Sequence, residues 1–159
     1  IKFIYLRRTQ TQCDIISKPE FSPYKSYMLD HPDRRINIES GSKYTATFID
    51  EDSEEAFGYT AALSTFVNLR GFDGSDIKVI LYDEFVPEKH EKAIRNEFKA
   101  LLNVIETVNR NRELKGSDPV RIVCLSNAGD LTNAVYTGLG IVKKVMQMQR
   151  RCHWATALR

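Results

Sequence analysis

Hydrophobic and polar positions change period several times along the chain, and the sharpest boundary falls at Ile77–Glu84. There Ile-Lys-Val-Ile-Leu-Tyr is closed by two adjacent carboxylates, Asp83 and Glu84. A β-branched, apolar run that stops this abruptly predicts a buried strand whose C-terminal end opens on a polar site. Upstream, Lys2–Arg7 (Lys-Phe-Ile-Tyr-Leu-Arg) predicts a short strand, followed by Arg8 and a polar Thr-Gln-Thr-Gln turn. Residues 14–34 have weak periodicity and carry Pro19, Pro23 and Pro32, which predicts loop with at most a short helix near Tyr24 to Leu29. Alternation begins at Ile36 and Ile38, continues through Tyr44, Ala46 and Phe48, and resumes after the acidic stretch 50–55 at Ala56, Phe57, Tyr59, Ala61 and Leu63. Residues 36–63 therefore read as an antiparallel β-meander with a solvated acidic turn.

Beyond Glu84 the period lengthens. A polar loop containing Pro87 leads to Ile94, Phe98, Leu101, Leu102, Ile105 and Val108 at steps of three and four. This spacing predicts an amphipathic helix of about four turns, packed on the sheet. It runs into Asn109-Arg110-Asn111-Arg112-Glu113, and Lys115–Pro119 then forces a turn. Arg121–Leu125 predicts another short buried strand, ending in Ser126 and Asn127. Strand, helix and strand in this order make a βαβ unit, so the crossover rule brings Ser126 and Asn127 to the same rim as Asp83 and Glu84. Residues 131–150 read as helical, with Val142, Val145, Met146 and Met148 as a core-facing stripe among Lys143, Lys144, Arg150 and Arg151. The last eight residues are compatible with the start of a further strand, in which His153 and Trp154 pack.

Composition narrows the class. A chain of 159 residues is one domain by length, and 42% hydrophobic with 28% charged residues is a globular balance. The net charge of +2 is too small to imply a nucleic-acid partner by itself. Cys13, Cys124 and Cys152 are odd in number, far apart and without a CxxC pair, which argues against a disulfide framework or a zinc site and for a reducing compartment. No apolar run reaches the roughly 18 residues of a membrane span. The chain begins with Ile1 inside an apolar run, so it is expected to be a piece of something longer, truncated at both ends.

The candidate chemistry gathers at the strand ends. In open α/β sheets ligands sit at the carboxyl ends of the strands. Adjacent carboxylates there can divide the work of nucleotide hydrolysis, Asp83 holding hydrated Mg²⁺ and Glu84 orienting or deprotonating a water, in the manner of a Walker B strand. A solvated Asp-Glu turn is the plain alternative. Ser126 and Asn127 have a capping role as theirs. Arg110 and Arg112 have the helix dipole as theirs. For Arg7 and Arg8 a charged strand exit and a functional role stand side by side.

Taken together, Phe3–Arg8, Leu81–Phe85, Leu101–Asn103, Thr107–Val108, Asn109–Glu113 and Cys124–Ala128 resemble the DNA-encapsidation ATPases of small tailed phages, relatives of terminase large subunits. The resemblance is close over residues 77–142 and general over 9–76. It implies an α/β, P-loop NTPase-like three-layer fold of the additional-strand, catalytic-glutamate type: a mainly parallel central sheet carrying 36–63 as an antiparallel β insertion, with 1–159 as one ATPase core. It further implies ATP and Mg²⁺ as ligands, Asp83 on the metal, Glu84 activating water, and Ser126 and Asn127 sensing the γ-phosphate. Arg110 would be an arginine finger acting on the neighbouring subunit of a homomeric ring, with Arg112 as the more structural of the two. Double-stranded DNA and portal or prohead components would be the partners, in the host cytoplasm and without a membrane. If the family's strand order holds, 2–7, 77–82 and 121–126 are consecutive neighbours. No Gly-x-x-x-x-Gly-Lys-[Ser/Thr] loop occurs in the 159 residues. The alternatives are a non-enzymatic prophage remnant acting as an assembly or binding domain, and a helicase-like ring ATPase.

Overall fold

The computed structural model describes residues 1–69, 71–88, 90–110, 112, 115–127 and 130–157, with side chains as far as Arg150. Six strands, β1 (Lys2–Arg7), β2 (Ile36–Ser42), β3 (Thr45–Asp50), β4 (Glu55–Ala62), β5 (Ile77–Asp83) and β6 (Arg121–Leu125), form one sheet in the order β2-β3-β4-β1-β5-β6. β1 pairs in parallel with both β4 and β5, and β5 with β6, while β2-β3 and β3-β4 are antiparallel. The expected succession of β1, β5 and β6 is therefore present. The meander is present too, but it is no appendage: its last strand is a register-matched neighbour of β1, with Tyr5 beside Thr60.

Helices cover both faces. α1 (Gln10–Ile16) and α2 (Lys25–Asp30) lie on one side, where Tyr24 at the start of α2 meets Phe48 and Phe57 edge-on. α3 (Glu97–Asn109) covers the other, placing Leu101, Val104 and Val108 against Ile4, Leu6, Ile80 and Tyr82. Strand alternation fixes which residue meets which layer. Odd positions of β1 and β5, including Tyr5, Arg7, Leu81 and Asp83, share one face, and Leu6, Arg8, Ile80 and Tyr82 share the other.

Several expectations are corrected. The Thr-Gln-Thr-Gln turn is the start of α1, because Thr9 and Gln12 form a reciprocal capping box that satisfies two backbone N–H groups. Residues 14–34 thus hold part of α1, a 3₁₀ turn at Pro19–Phe21 and α2. β6 is not buried: it is the outer strand among the described residues, and Val123 and Leu125 are 43% and 47% exposed. The helical segment 131–150 is split into α4 (Ala134–Gly138) and α5 (Val142–Ala157). Gly140 at φ +67°, with its N–H on the Thr137 carbonyl and that of Ile141 on Tyr136, makes a Schellman ending that only glycine enters cheaply. α5 continues through 151–157, where a strand was the expectation; the packing of His153 and Trp154 lies outside the described side chains. Met146 and Met148 are exposed, since the half-buried face of α5 follows Val142, Val145 and Gln149 and excludes them by helical phase.

α3 and α4 touch closely enough to yield a prediction. A β-carbon on Gly138 would stand 2.2 Å from Cγ of Phe98, at the root of the ring where rotation gives no relief. Gly138→Ala is expected to destabilise the fold by about 1–3 kcal/mol, read as a lowered denaturation midpoint.

Candidate active site

Asp83 ends β5, and the chain leaves the strand through Glu84 at φ +50°, a left-handed conformation uncommon for glutamate. That turn separates the two carboxylates. Asp83 stays on the face shared with β1: its Oδ2 accepts from the Tyr5 hydroxyl at 2.6 Å and from Nη1 of Arg7 at 2.7 Å, and its Oδ1 accepts from the Glu84 N–H at 3.0 Å. Burial, and then the Asp83 carboxylate it donates to, push the Tyr5 phenol well above its usual range, so its hydroxyl remains a donor. Glu84 is exposed and accepts from Nη2 of Arg7 through Oε2. One guanidinium therefore bridges both acids.

Glu84 also lines a cleft of about 620 Å³ with Val86, Glu88, Glu91, Ser126 and Asn127. The βαβ inference is borne out in this respect, since the ends of β5 and β6 do share a rim. Ser126 closes it: its Oγ accepts from the Val86 N–H at 3.3 Å and donates to the Asn127 carbonyl at 3.1 Å. Asn127 is exposed at the mouth. Neighbouring Cys124 is half-buried, and burial pushes its thiol up to about 11.

Arg110 and Arg112 have different surroundings. Arg112 is buried, with Nε on the Val108 carbonyl at 3.1 Å, Nη1 on the Asp118 carbonyl at 3.1 Å, and Nη2 on the carbonyls of Gly74 and Ile77. It ties the end of α3 to the start of β5 and is buried among main-chain carbonyls rather than turned outward to a second subunit. Arg110 is exposed beside a groove of about 320 Å³ that runs along α3 past Phe66, Phe72, Arg95 and Asn103. α3 starts near the rim, where Glu97 meets Arg8, and its 13 residues carry Arg110 to the opposite end of the sheet, about 20 Å away. Within one chain Arg110 is thus remote from Glu84. Asn111, Glu113 and Ala128 lie outside the described residues.

Among the described residues no three His, Cys, Asp or Glu side chains are grouped to hold a metal. The donor set is one carboxylate, Asp83, with Ser126 nearby. That fits Mg²⁺ brought in by a nucleotide and bound mainly through phosphate and water, rather than a resident ion. Missing from the sequence-based candidates were Tyr5 and the bridging role of Arg7. Their spacing at i and i+2 places both on the Asp83 face, but nothing in the sequence said that this face met Asp83.

Known proteins resemble the chain along most of its length. The DNA packaging protein of Bacillus phage phi29 is 32% identical over 149 residues, covering 91% of this chain and 39% of that protein. That of Bacillus phage B103 is 31% identical over 145 residues, covering 91% and 40%. The crystal structure of the N-terminal domain of the DNA packaging ATPase from bacteriophage phi29 superposes with a TM-score of 0.69 at 28% identity, over 89% of this chain and 65% of that one. A chain of the bacteriophage phi29 viral genome packaging motor assembly gives a TM-score of 0.68 at 27% identity, over 87% and 38%. The chain spans about two-fifths of the curated relatives it matches. Residues 1–152 match the model of one family, and the chain belongs to it: the Podovirus DNA encapsidation protein (Gp16) family.

Proposed function

We propose that this chain is the catalytic core of a phage DNA-packaging ATPase that works as a homomeric ring and moves double-stranded DNA into a prohead. The observation that carries the reading is the shared rim on which Glu84, Ser126 and Asn127 line one cleft beside Asp83. Asp83 would hold Mg²⁺ through water, and the ion when bound would supply charge neutralisation on the phosphates. Glu84 orients a water and takes its proton as the water oxygen bonds to the γ-phosphorus; the bond from that phosphorus to the bridging oxygen breaks, leaving ADP and inorganic phosphate. Asn127 and Ser126 offer polar groups to the γ-phosphate. The reading also requires groups for the α- and β-phosphates that these 159 residues do not include as a glycine-rich loop.

Arg110 stands at the far end of α3, a helix about 20 Å long that starts near the rim, which supports service to a neighbouring copy's site, where a planar guanidinium meets the charge on the phosphoryl oxygens. Complementation tests this. In the full-length gene product, Arg110→Ala and Glu84→Gln are each expected to be inactive alone, whereas a mixture regains turnover at sites built from an intact Glu84 on one copy and an intact Arg110 on the next. Mixtures no more active than their components would remove the trans role. One observation favours a non-enzymatic binding domain instead: both oxygens of Asp83 are already engaged within the chain. Wild-type full-length protein that binds double-stranded DNA or prohead without hydrolysing ATP would establish that reading.

A further inference from the structure

We propose that Asn133 is a positioning residue for Glu84: its side-chain amide fixes the main chain just beyond the acid, and so fixes where the Glu84 carboxylate stands over the cleft. This role rests on the hydrolytic reading of Glu84. Its basis is the way the chain leaves β5. Glu84 is in the left-handed region at φ +50°, a conformation that costs a residue with a side chain free energy and persists only where the surroundings hold it. Much of that hold lies directly downstream. The Phe85 N–H donates to the Leu125 carbonyl at 3.4 Å, which carries the β5–β6 pairing past Glu84. The next peptide, between Phe85 and Val86, is gripped at both ends by side chains: Nδ2 of Asn133 donates to the Phe85 carbonyl at 3.3 Å, and Oγ of Ser126 accepts from the Val86 N–H at 3.3 Å.

Asn133 does more than start α4. Its Oδ1 accepts from the Val135 N–H at 2.7 Å, an ordinary helix cap that serine, threonine or aspartate supplies as well. The amide end has a separate task. The side chain is 6% exposed, so its donor, spent on a main-chain carbonyl 48 positions upstream, carries a burial cost that capping alone does not call for. The Phe85 ring adds to the same hold: it is buried beside Tyr82 and meets Tyr136 of α4 edge-on, with centroids 5.0 Å apart. α4 is thereby fastened to the segment after Glu84 by a hydrogen bond and an aromatic contact. The amide matters most with nucleotide bound. Once Oγ of Ser126 turns to the γ-phosphate, the Val86 N–H loses its partner, and Asn133 is the side chain among the described residues that still holds this peptide. Val86 and Glu88 line the cleft with Glu84, so the same hydrogen bond also sets one of its walls.

The test compares Asn133→Ser and Asn133→Ala in the full-length protein. Serine keeps the cap but is too short to reach the Phe85 carbonyl, whereas alanine loses both bonds. Each variant is expected to lower kcat for ATP about tenfold or more with KM within about twofold, since a displacement of about 1 Å at a reacting group costs up to about 10²-fold in rate. Tm should separate the two, falling further in Asn133→Ala, because only alanine gives up the cap. In a Glu84→Gln background Asn133→Ser should lower turnover by less than about twofold more, because the base it positions is already gone. A kcat of folded Asn133→Ser within about twofold of wild type, beside an inactive Glu84→Gln, overturns the positioning role and leaves the hydrolytic reading in place. The role is equally overturned by a kcat loss that follows Tm, larger for alanine than for serine, or by one that is undiminished in the Glu84→Gln background. Full activity of Glu84→Gln alone overturns the hydrolytic reading itself, and the role of Asn133 with it.

Discussion

Glu84→Gln in the full-length protein is expected to lower ATP turnover by about 10²-fold or more while nucleotide affinity stays within about twofold, because a positioned general base typically contributes 10²–10⁴. Each factor of ten corresponds to about 1.4 kcal/mol of barrier, so the change amounts to about 3 kcal/mol or more. The substitution is a clean probe at this position. Glutamine has the same shape, keeps an oxygen able to accept from Nη2 of Arg7, and makes the same demand on the left-handed backbone at φ +50°. It differs in being unable to take up a proton. Steady-state phosphate release and an equilibrium nucleotide titration separate the two effects. Near-wild-type turnover would leave Glu84 as a solvated turn, the plainer of the two readings of this strand end.

Removing Arg8 should have the largest effect on stability. Its side chain is fully buried, with Nε on Glu97 Oε1 at 2.8 Å, Nη2 on Glu97 Oε2 and the Lys92 carbonyl at 3.4 Å each, and Nη1 on Glu91. Burial by itself would lower the proton affinity of the guanidinium, but the hydrogen bond and charge of Glu97 outweigh it and hold Arg8 above its ordinary value. Tyr82 donates to the same Glu97 oxygen at 2.9 Å, and Gln12 donates to Glu91 at 2.8 Å. The cluster thus joins β1, α1, β5, α3 and the wall of the cleft. Arg8→Met leaves Glu97 buried without its cation, for which a loss of about 3–5 kcal/mol is expected. In a chain of this size that corresponds to a drop on the order of 10 °C in Tm. Arg8→Met/Glu97→Leu should recover part of it, since a well-packed apolar pair often replaces a buried ion pair at little cost. A single-variant change below about 1 kcal/mol would mean that the cluster does not hold the start of α3.

Arg7 and Arg8 show how far the sequence could be read. Adjacent in the chain and alike in chemistry, they were open to the same two interpretations. Strand alternation sends one to the Asp83 face and the other to the face covered by α3, but the sequence does not say what either face meets. Arg112 is a similar case, since its buried role depends on carbonyls of Gly74 and Ile77 some 35 positions or more upstream. Elements with strong local signals were legible: the apolar run of β5, the three-and-four spacing of α3, and the alternation of β3 and β4. α1 was missed although its capping box is itself a sequence signal, because three prolines downstream drew the whole segment towards loop.

By itself, then, the sequence determined the strands, α3 and the shared rim of β5 and β6, because period and crossover handedness are local or chain-order properties. Only the tertiary structure decided that β4 lies parallel beside β1, that β6 is left half exposed, and that Asp83 and Glu84 share one arginine. The physical reason is common to these. Each depends on which surfaces are brought together across long separations in the chain, where burial and charge pairing decide the outcome and no local pattern records it.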